Sequence, residues 1–142
     1  MKIAFNSLDK FRDFGLLLMR VGIGATFIIL HGGPKLLGGP ERWETLGGAM
    51  SLVGINFLPV MWGFLAAFAE SVGALLLLVG FLTRPALFLL TVTMIFAAGA
   101  HLCLEIEPQG WSGASHALKM GIVFLSLIFI GPGRYSVDQM LK

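Results

Sequence analysis

The sequence predicts an all-α integral membrane protein, a single four-helix bundle spanning residues 1–142. Three observations carry this expectation. The 142-residue chain is 56% hydrophobic and only 13% charged, with a mean hydropathy of +0.86. An ordinary soluble domain carries about 25% charged residues, so the deficit points to lipid as the solvent. Four apolar stretches, at about 14–31, 57–80, 85–102 and 114–130, each approach the ~17–25 residues that a helix needs to cross a bilayer. Helices are the expected state because hydrocarbon leaves backbone polar groups to be satisfied internally.

Each element has its own local signal. Residues 1–13 set Lys2, Lys10 and Arg12 against Asp9 and Asp13, as in an interfacial lead-in. The first apolar stretch follows without a small-x-small cleavage pattern and carries Arg20, so an uncleaved helix is expected rather than a signal peptide. The long connection from His31 to Asn56 contains "PERWETLGGAMSLVG". There Pro40 suits a first helical position, and Trp43, Leu46, Met50 and Val53 share a face. A short helix on the membrane surface is expected, with Trp43 at headgroup depth. "GFLTRP" is short enough to make the second and third helices antiparallel neighbours, with Pro85 opening the third. "GPG" at 131–133 ends the fourth, and a last surface turn capped by Ser136 follows.

Lys2, Lys10, Arg12, Arg84, Arg134 and Lys142 fall on one side of this arrangement, and only Lys35 and Arg42 fall in loops on the other. The positive-inside rule then places both termini in the cytoplasm. A net charge of +2 with no basic run gives no footprint for nucleic acid. One cysteine, Cys103, excludes an intrachain disulfide and C-x-x-C dithiol chemistry.

The informative residues are polar ones in apolar surroundings. Glu70 lies about 15 Å from the inner end of its helix at 1.5 Å per residue, too deep for its carboxylate to reach headgroups. Gly63, Ala66, Ala67, Gly73 and Ala74 accompany it at helical spacing, which faces Glu70 into the bundle. Arg20, on a face shared with Gly24, Phe27 and His31, is the expected ion-pair partner. Such a pair either fixes helix register or handles a ligand or proton. At the opposite end His31, His101 and His116 gather with Lys35 and Lys119. This cluster reads as ordinary interfacial polarity, or as a pocket for a polar headgroup, a quinone ring or a proton relay. His101 and Glu105 have the i,i+4 spacing of metal ligands, but a third ligand would have to come from another helix, so no metal site is expected. No Walker, G-x-S-x-G or H-E-x-x-H motif is present.

Several of these pieces occur in an order that resembles the DoxX family of small four-helix membrane proteins. They are "LLLMRVGIGATFIILHGGPKLLG", "AESVGALLLLVGFLTRPAL" and "IGPGRYSVD", which together span Leu16 to Asp138. The resemblance implies a bacterial inner-membrane protein. It maps the family's polar positions onto Arg20, His31, Lys35, Glu70 and Arg84. Some members are described as membrane subunits of thiosulfate:quinone oxidoreductases and others as parts of oxidative-stress complexes. Unlike dithiol-redox four-helix relatives, this chain lacks a cysteine pair. The resulting expectation is a redox-associated subunit that binds a quinone or similar lipophilic molecule between the helices. No haem, flavin or iron–sulfur motif is visible, so its electrons would come from a partner protein. Membrane lipid is the other expected partner, and homo-oligomerisation stays open. A non-catalytic scaffold or assembly factor is the alternative, and a small-solute carrier a third.

Overall fold

A computed structural model describes residues 6–142, and Lys2 with the first part of the lead-in lies outside them. Every regular element among the described residues is helical. Four helices are long and apolar enough to cross a membrane. The first spans Leu8–Leu36 and is built from a 3-10 turn, α1 (Arg12–Phe27), a π turn (Ile28–Gly32) and α2 (Gly33–Leu36). The other three are α4 (Pro59–Val79), α5 (Thr83–Cys103) and α6 (Gly110–Ile130). The first helix is thus longer than its apolar stretch. "HGGPK" continues it instead of starting a loop: the π turn at Ile28–Gly32 precedes Pro34, the second residue of α2, and shifts the hydrogen-bond ladder there.

The four spans run alternately up and down. Glycine contacts fix how α1 and α4 pass each other. A Cβ on Gly24 would lie 2.8 Å from Leu78 Cβ and 2.9 Å from the Ala74 carbonyl, and one on Gly32 would lie 2.7 Å from Ser71 Oγ. Phe27 meets Phe124 edge-on at 5.2 Å, so α6 flanks α1 as well as α5. Buried Leu77, Leu87, Leu90, Met94, Phe124 and Leu127 fill the centre. Large apolar side chains such as Leu18, Ile29, Phe88, Ile95, Ile122 and Phe129 point outward from all but one of the spans, and α4 adds Leu65, Phe68 and Leu75. The spanning helices thereby present their outer faces to lipid.

α3 (Gly39–Gly47) occupies the long connection, and Pro40 lies in its first turn. At the Gly47–Gly48 pair it gives way to 3-10 turns that run to Val53. It packs closely on the start of α4, since Cβ atoms at Gly47 and Gly63 would overlap the carbonyls of Pro59 and Trp43. The Trp43 ring lies edge-on to Phe64 at 5.0 Å. We call the end where α1 begins and α6 finishes the basal end, and the opposite end distal.

At the basal end a short α7 (Val137–Met140) folds back on the α4–α5 turn. Ser136 stands at its N-cap position, but the hydroxyl donates to the Gly133 carbonyl at 2.7 Å and caps nothing. The cap that matters is Asp138. Its carboxylate accepts from the amides of Leu82 at 2.8 Å and Thr83 at 2.9 Å, the first amides of α5. Leu82 itself is left-handed and has no side chain able to cap. Partial burial pushes the Asp138 carboxyl up, but hydrogen bonds from Thr83 and Leu82, with Lys142 nearby, hold it below the ordinary carboxylate value.

Candidate functional site

Glu70 and Arg20 do not form the expected ion pair. The partner of Glu70 is Lys35, whose Nζ donates to both carboxylate oxygens at 2.8 Å. The cause is axial register. Gly32 sits on Ser71 and Gly24 on Ala74 and Leu78, whereas Arg20 lies beside Gly80. Gly80 follows the last residue of α4 and lies ten residues from Glu70, about 15 Å at the helical rise, which no arginine spans. The helical extension through Gly33–Leu36 brings Lys35, four residues after His31, onto the stripe already formed by Arg20, Gly24, Phe27 and His31.

Arg20 has a different task. The residue is 2% exposed. It donates through Nη1 to the Pro132 carbonyl at 2.6 Å and through Nη2 to the Tyr135 carbonyl at 2.8 Å. These acceptors belong to the segment that follows α6, so the arginine ties the first helix to the last. A positive charge near the carbonyl end of a helix is also electrostatically favoured. Gly80, at φ +73°, leaves the space that the guanidinium occupies.

Around the Lys35–Glu70 pair the structure assembles a distal polar cluster. Glu70 is 3% exposed, whereas the Lys35 side chain is 18% exposed. His31 and His116 stack at 4.6 Å with their planes 16° apart. Phe27 supports His31 from one turn below, at 4.8 Å between ring centroids. His31 lies within electrostatic reach of His116, Lys35 and Glu70. The Trp43 indole N–H donates to the Lys35 carbonyl at 3.0 Å, which fastens α3 to this corner. Beside Trp43 and Phe64 lies a wide apolar depression of about 620 Å³, lined also by Glu44, Leu58, Pro59 and Met61. The π turn at Ile28–Gly32 contains His31 and ends three residues before Lys35, and such turns often occur at functional sites.

Two histidines therefore join the cluster and the third does not. His101 Nδ1 lies 2.9 Å from the Pro108 carbonyl. A carbonyl only accepts, so Nδ1 carries the hydrogen and His101 closes the α5–α6 connection. Gly113 of α6 packs against the same ring. α5 ends at Cys103 and Leu104 is extended, so Glu105 has no helical i,i+4 relation to His101. Lys119 is exposed on α6, one turn beyond His116. Arg84 lies at the basal end, where its Nε donates to the Ile128 carbonyl at 3.0 Å.

Among the described residues, Lys35–Glu70 is the one ion pair. Its geometry allows chemistry that an Arg20–Glu70 pair would not. Two of the three lysine hydrogens serve Glu70, and the third can serve a ligand from the partly exposed side.

A family model, DoxX, matches residues 15–102. The chain belongs to the DoxX family. The matched stretch of this DoxX protein contains Arg20, His31, Lys35, Glu70 and Arg84, and it ends before His116 and Asp138. The chain is also similar to a Haemophilus influenzae protein described as an uncharacterized protein, at 32% identity over 140 residues. The similarity covers 94% of this chain and 96% of that one. No solved structure matches this DoxX protein. Family and helices together make it a multi-pass membrane protein in contact with lipid.

Proposed function

We propose that this DoxX protein is a membrane subunit of a redox-associated complex and that the distal cluster holds the polar ring of a quinone or a similar lipophilic molecule. The family is often associated with redox-related functions. The observation that carries the reading is an ammonium–carboxylate pair inside the membrane-spanning bundle, flanked by two stacked imidazoles. A charge in a transmembrane segment costs at least ~2.5–3.5 kcal/mol on insertion scales, and ionisable residues there commonly mark a ligand or proton path.

The donor set suits such a ring. The free Lys35 hydrogen and an imidazole N–H can each donate to a ring oxygen, and the second nitrogen of an imidazole can accept from a hydroxyl. Phe27 supplies an aromatic wall beneath the imidazoles. The proposed position is the distal mouth of the bundle, where the Lys35 side chain is partly exposed, whereas Phe27, Ala67 and Ala74 are buried. A quinone accepts two electrons and two protons. In this reading a partner protein supplies the electrons, His31 and His116 pass protons, and Glu70 fixes Lys35 in a donating position. The protein would lie in the bacterial inner membrane with both termini in the cytoplasm, which puts the cluster on the outer side.

A second reading, a non-catalytic scaffold, draws on Arg20. That residue shows that a buried charge in this bundle can serve cohesion alone. Mass spectrometry of quinones and lipids that co-purify with wild type and Glu70→Gln in mild detergent separates the two. A near-stoichiometric quinone that is lost in the variant supports the redox reading. Only bulk phospholipid in both leaves the scaffold.

A further inference from the structure

We propose that the basal end carries a second site, a cleft that takes the negatively charged phosphodiester of an anionic lipid. The cleft, about 250 Å³, lies between the start of α1, the start of α5 and the segment after α6. That volume is several times the ~30 Å³ one water occupies in the liquid, so a phosphate group has room. Arg12, Arg84, Arg134 and Lys142 line it against one carboxylate, Asp13.

The surrounding hydrogen bonds make the cleft rich in donors. Asp13 Oδ1 already accepts from the Arg134 amide at 3.0 Å. The Pro132 and Tyr135 carbonyls turn away to serve Arg20, and the Ile128 carbonyl accepts from Arg84 Nε. These three carbonyls are thus engaged by arginines, and Asp13 is the one carboxylate set against the four cations. Among the described residues no carboxylate lies within ion-pair distance of any of the four cations. Arg84 is fixed to α6 through its Nε, and Asp138 ties the chain just before Lys142 to α5.

Cations that outnumber carboxylates at a helix-bundle end attract anionic headgroups, each worth about 1 kcal/mol near a charged surface. Arginine forks also match phosphate oxygens in pairs. The phosphodiester of a lipid headgroup and free inorganic phosphate present the same chemistry to the cleft, and the experiment distinguishes them.

The test is native mass spectrometry of the full chain in mixed micelles containing equal phosphatidylglycerol and phosphatidylcholine. Wild type is compared with Arg134→Gln/Lys142→Gln and with Arg42→Gln/Lys119→Gln, which removes the same charge away from the cleft. Arg134 and Lys142 make no side-chain hydrogen bond among the described residues, so folding is expected to survive; Arg84→Gln is a further variant. Phosphatidylglycerol adducts that exceed phosphatidylcholine in wild type, fall at least tenfold in the cleft variants and persist in the control establish the lipid site. If instead millimolar inorganic phosphate raises the melting temperature of wild type but not of the cleft variants, with no lipid preference, the cleft holds a free anion. Equal adducts and equal phosphate response in all variants overturn the proposal.

Discussion

Removing either member of the Lys35–Glu70 pair is expected to have unequal effects. Glu70 is 3% exposed, and the Lys35 side chain is 18% exposed. Lys35→Met therefore strands a buried carboxylate that cannot reach water, while Glu70→Gln leaves an ammonium that can swing outward. Breaking a buried pair costs about 3–5 kcal/mol when the remaining charge is trapped, so Lys35→Met belongs near the lower part of that range. Relief through solvent should reduce the Glu70→Gln cost to about 1–2 kcal/mol, closer to the loss of a charge-assisted hydrogen bond. The Lys35→Met/Glu70→Gln double variant removes both charges with their desolvation penalties and should cost no more than about 1 kcal/mol. The cycle then yields a coupling of about 3–5 kcal/mol, at or above the top of the range for residues in direct contact. The parallel cycle with Arg20 and Glu70 should be additive to within ~0.5 kcal/mol, as for residues more than ~7–10 Å apart. Equilibrium unfolding by SDS in mild-detergent micelles, followed by tryptophan fluorescence, measures both. Strong Arg20–Glu70 coupling with an additive Lys35–Glu70 cycle would refute the register derived from the glycine contacts.

Three further outcomes follow from individual contacts. Gly32→Val places a Cβ within 2.8 Å of the Ser71 backbone; helix separation should lower stability by about 1–3 kcal/mol, and Ser71→Ala should not restore the melting temperature because the backbone clash remains. Arg20→Lys loses the fork that reaches two carbonyls, so hydrogen exchange over residues 132–140 should accelerate more than in the rest of the chain. Asp138→Asn should cost about 1 kcal/mol at pH 7 as a weakened cap. The folded Asp138 carboxyl lies below its ordinary value, so its contribution is complete above about pH 4 and disappears as pH falls through the lowered value; thermal denaturation across pH 2–6 should show a shallower acid loss in the variant than in wild type.

The spans were legible because hydropathy and length depend only on composition along the chain. So were the buried stripes, since Arg20, Gly24 and Phe27 on α1 and Gly63, Ala67, Glu70, Gly73 and Ala74 on α4 repeat at helical spacing. The partner of Glu70 was not legible, because depth along one helix does not fix the register between two. That register rests on Gly24 and Gly32, whose role emerges only where α4 approaches. "HGGPK" looked like a loop because it contains two glycines and a proline, yet Lys35 continues the four-residue spacing from His31. That spacing was the available signal. Asp138 left none: "GFLTRP" suggests a helix opened by Pro85, and only the structure starts it at Thr83 with Leu82, which has no capping side chain, before it. His101 resembled the other two histidines in sequence, and only the folded α5–α6 connection separates them.

The most direct measurement is the affinity of the detergent-purified protein for a short-chain, water-soluble quinone, titrated by quenching of tryptophan fluorescence. Trp43 reports on the site because its indole is bonded to the Lys35 backbone. Saturable binding that weakens at least tenfold in Glu70→Gln and is unchanged in Arg84→Gln, at the other end of the bundle, is the expected result. Equal affinity in all three proteins, or no saturable binding by wild type, would contradict a ring site at the Lys35–Glu70 pair.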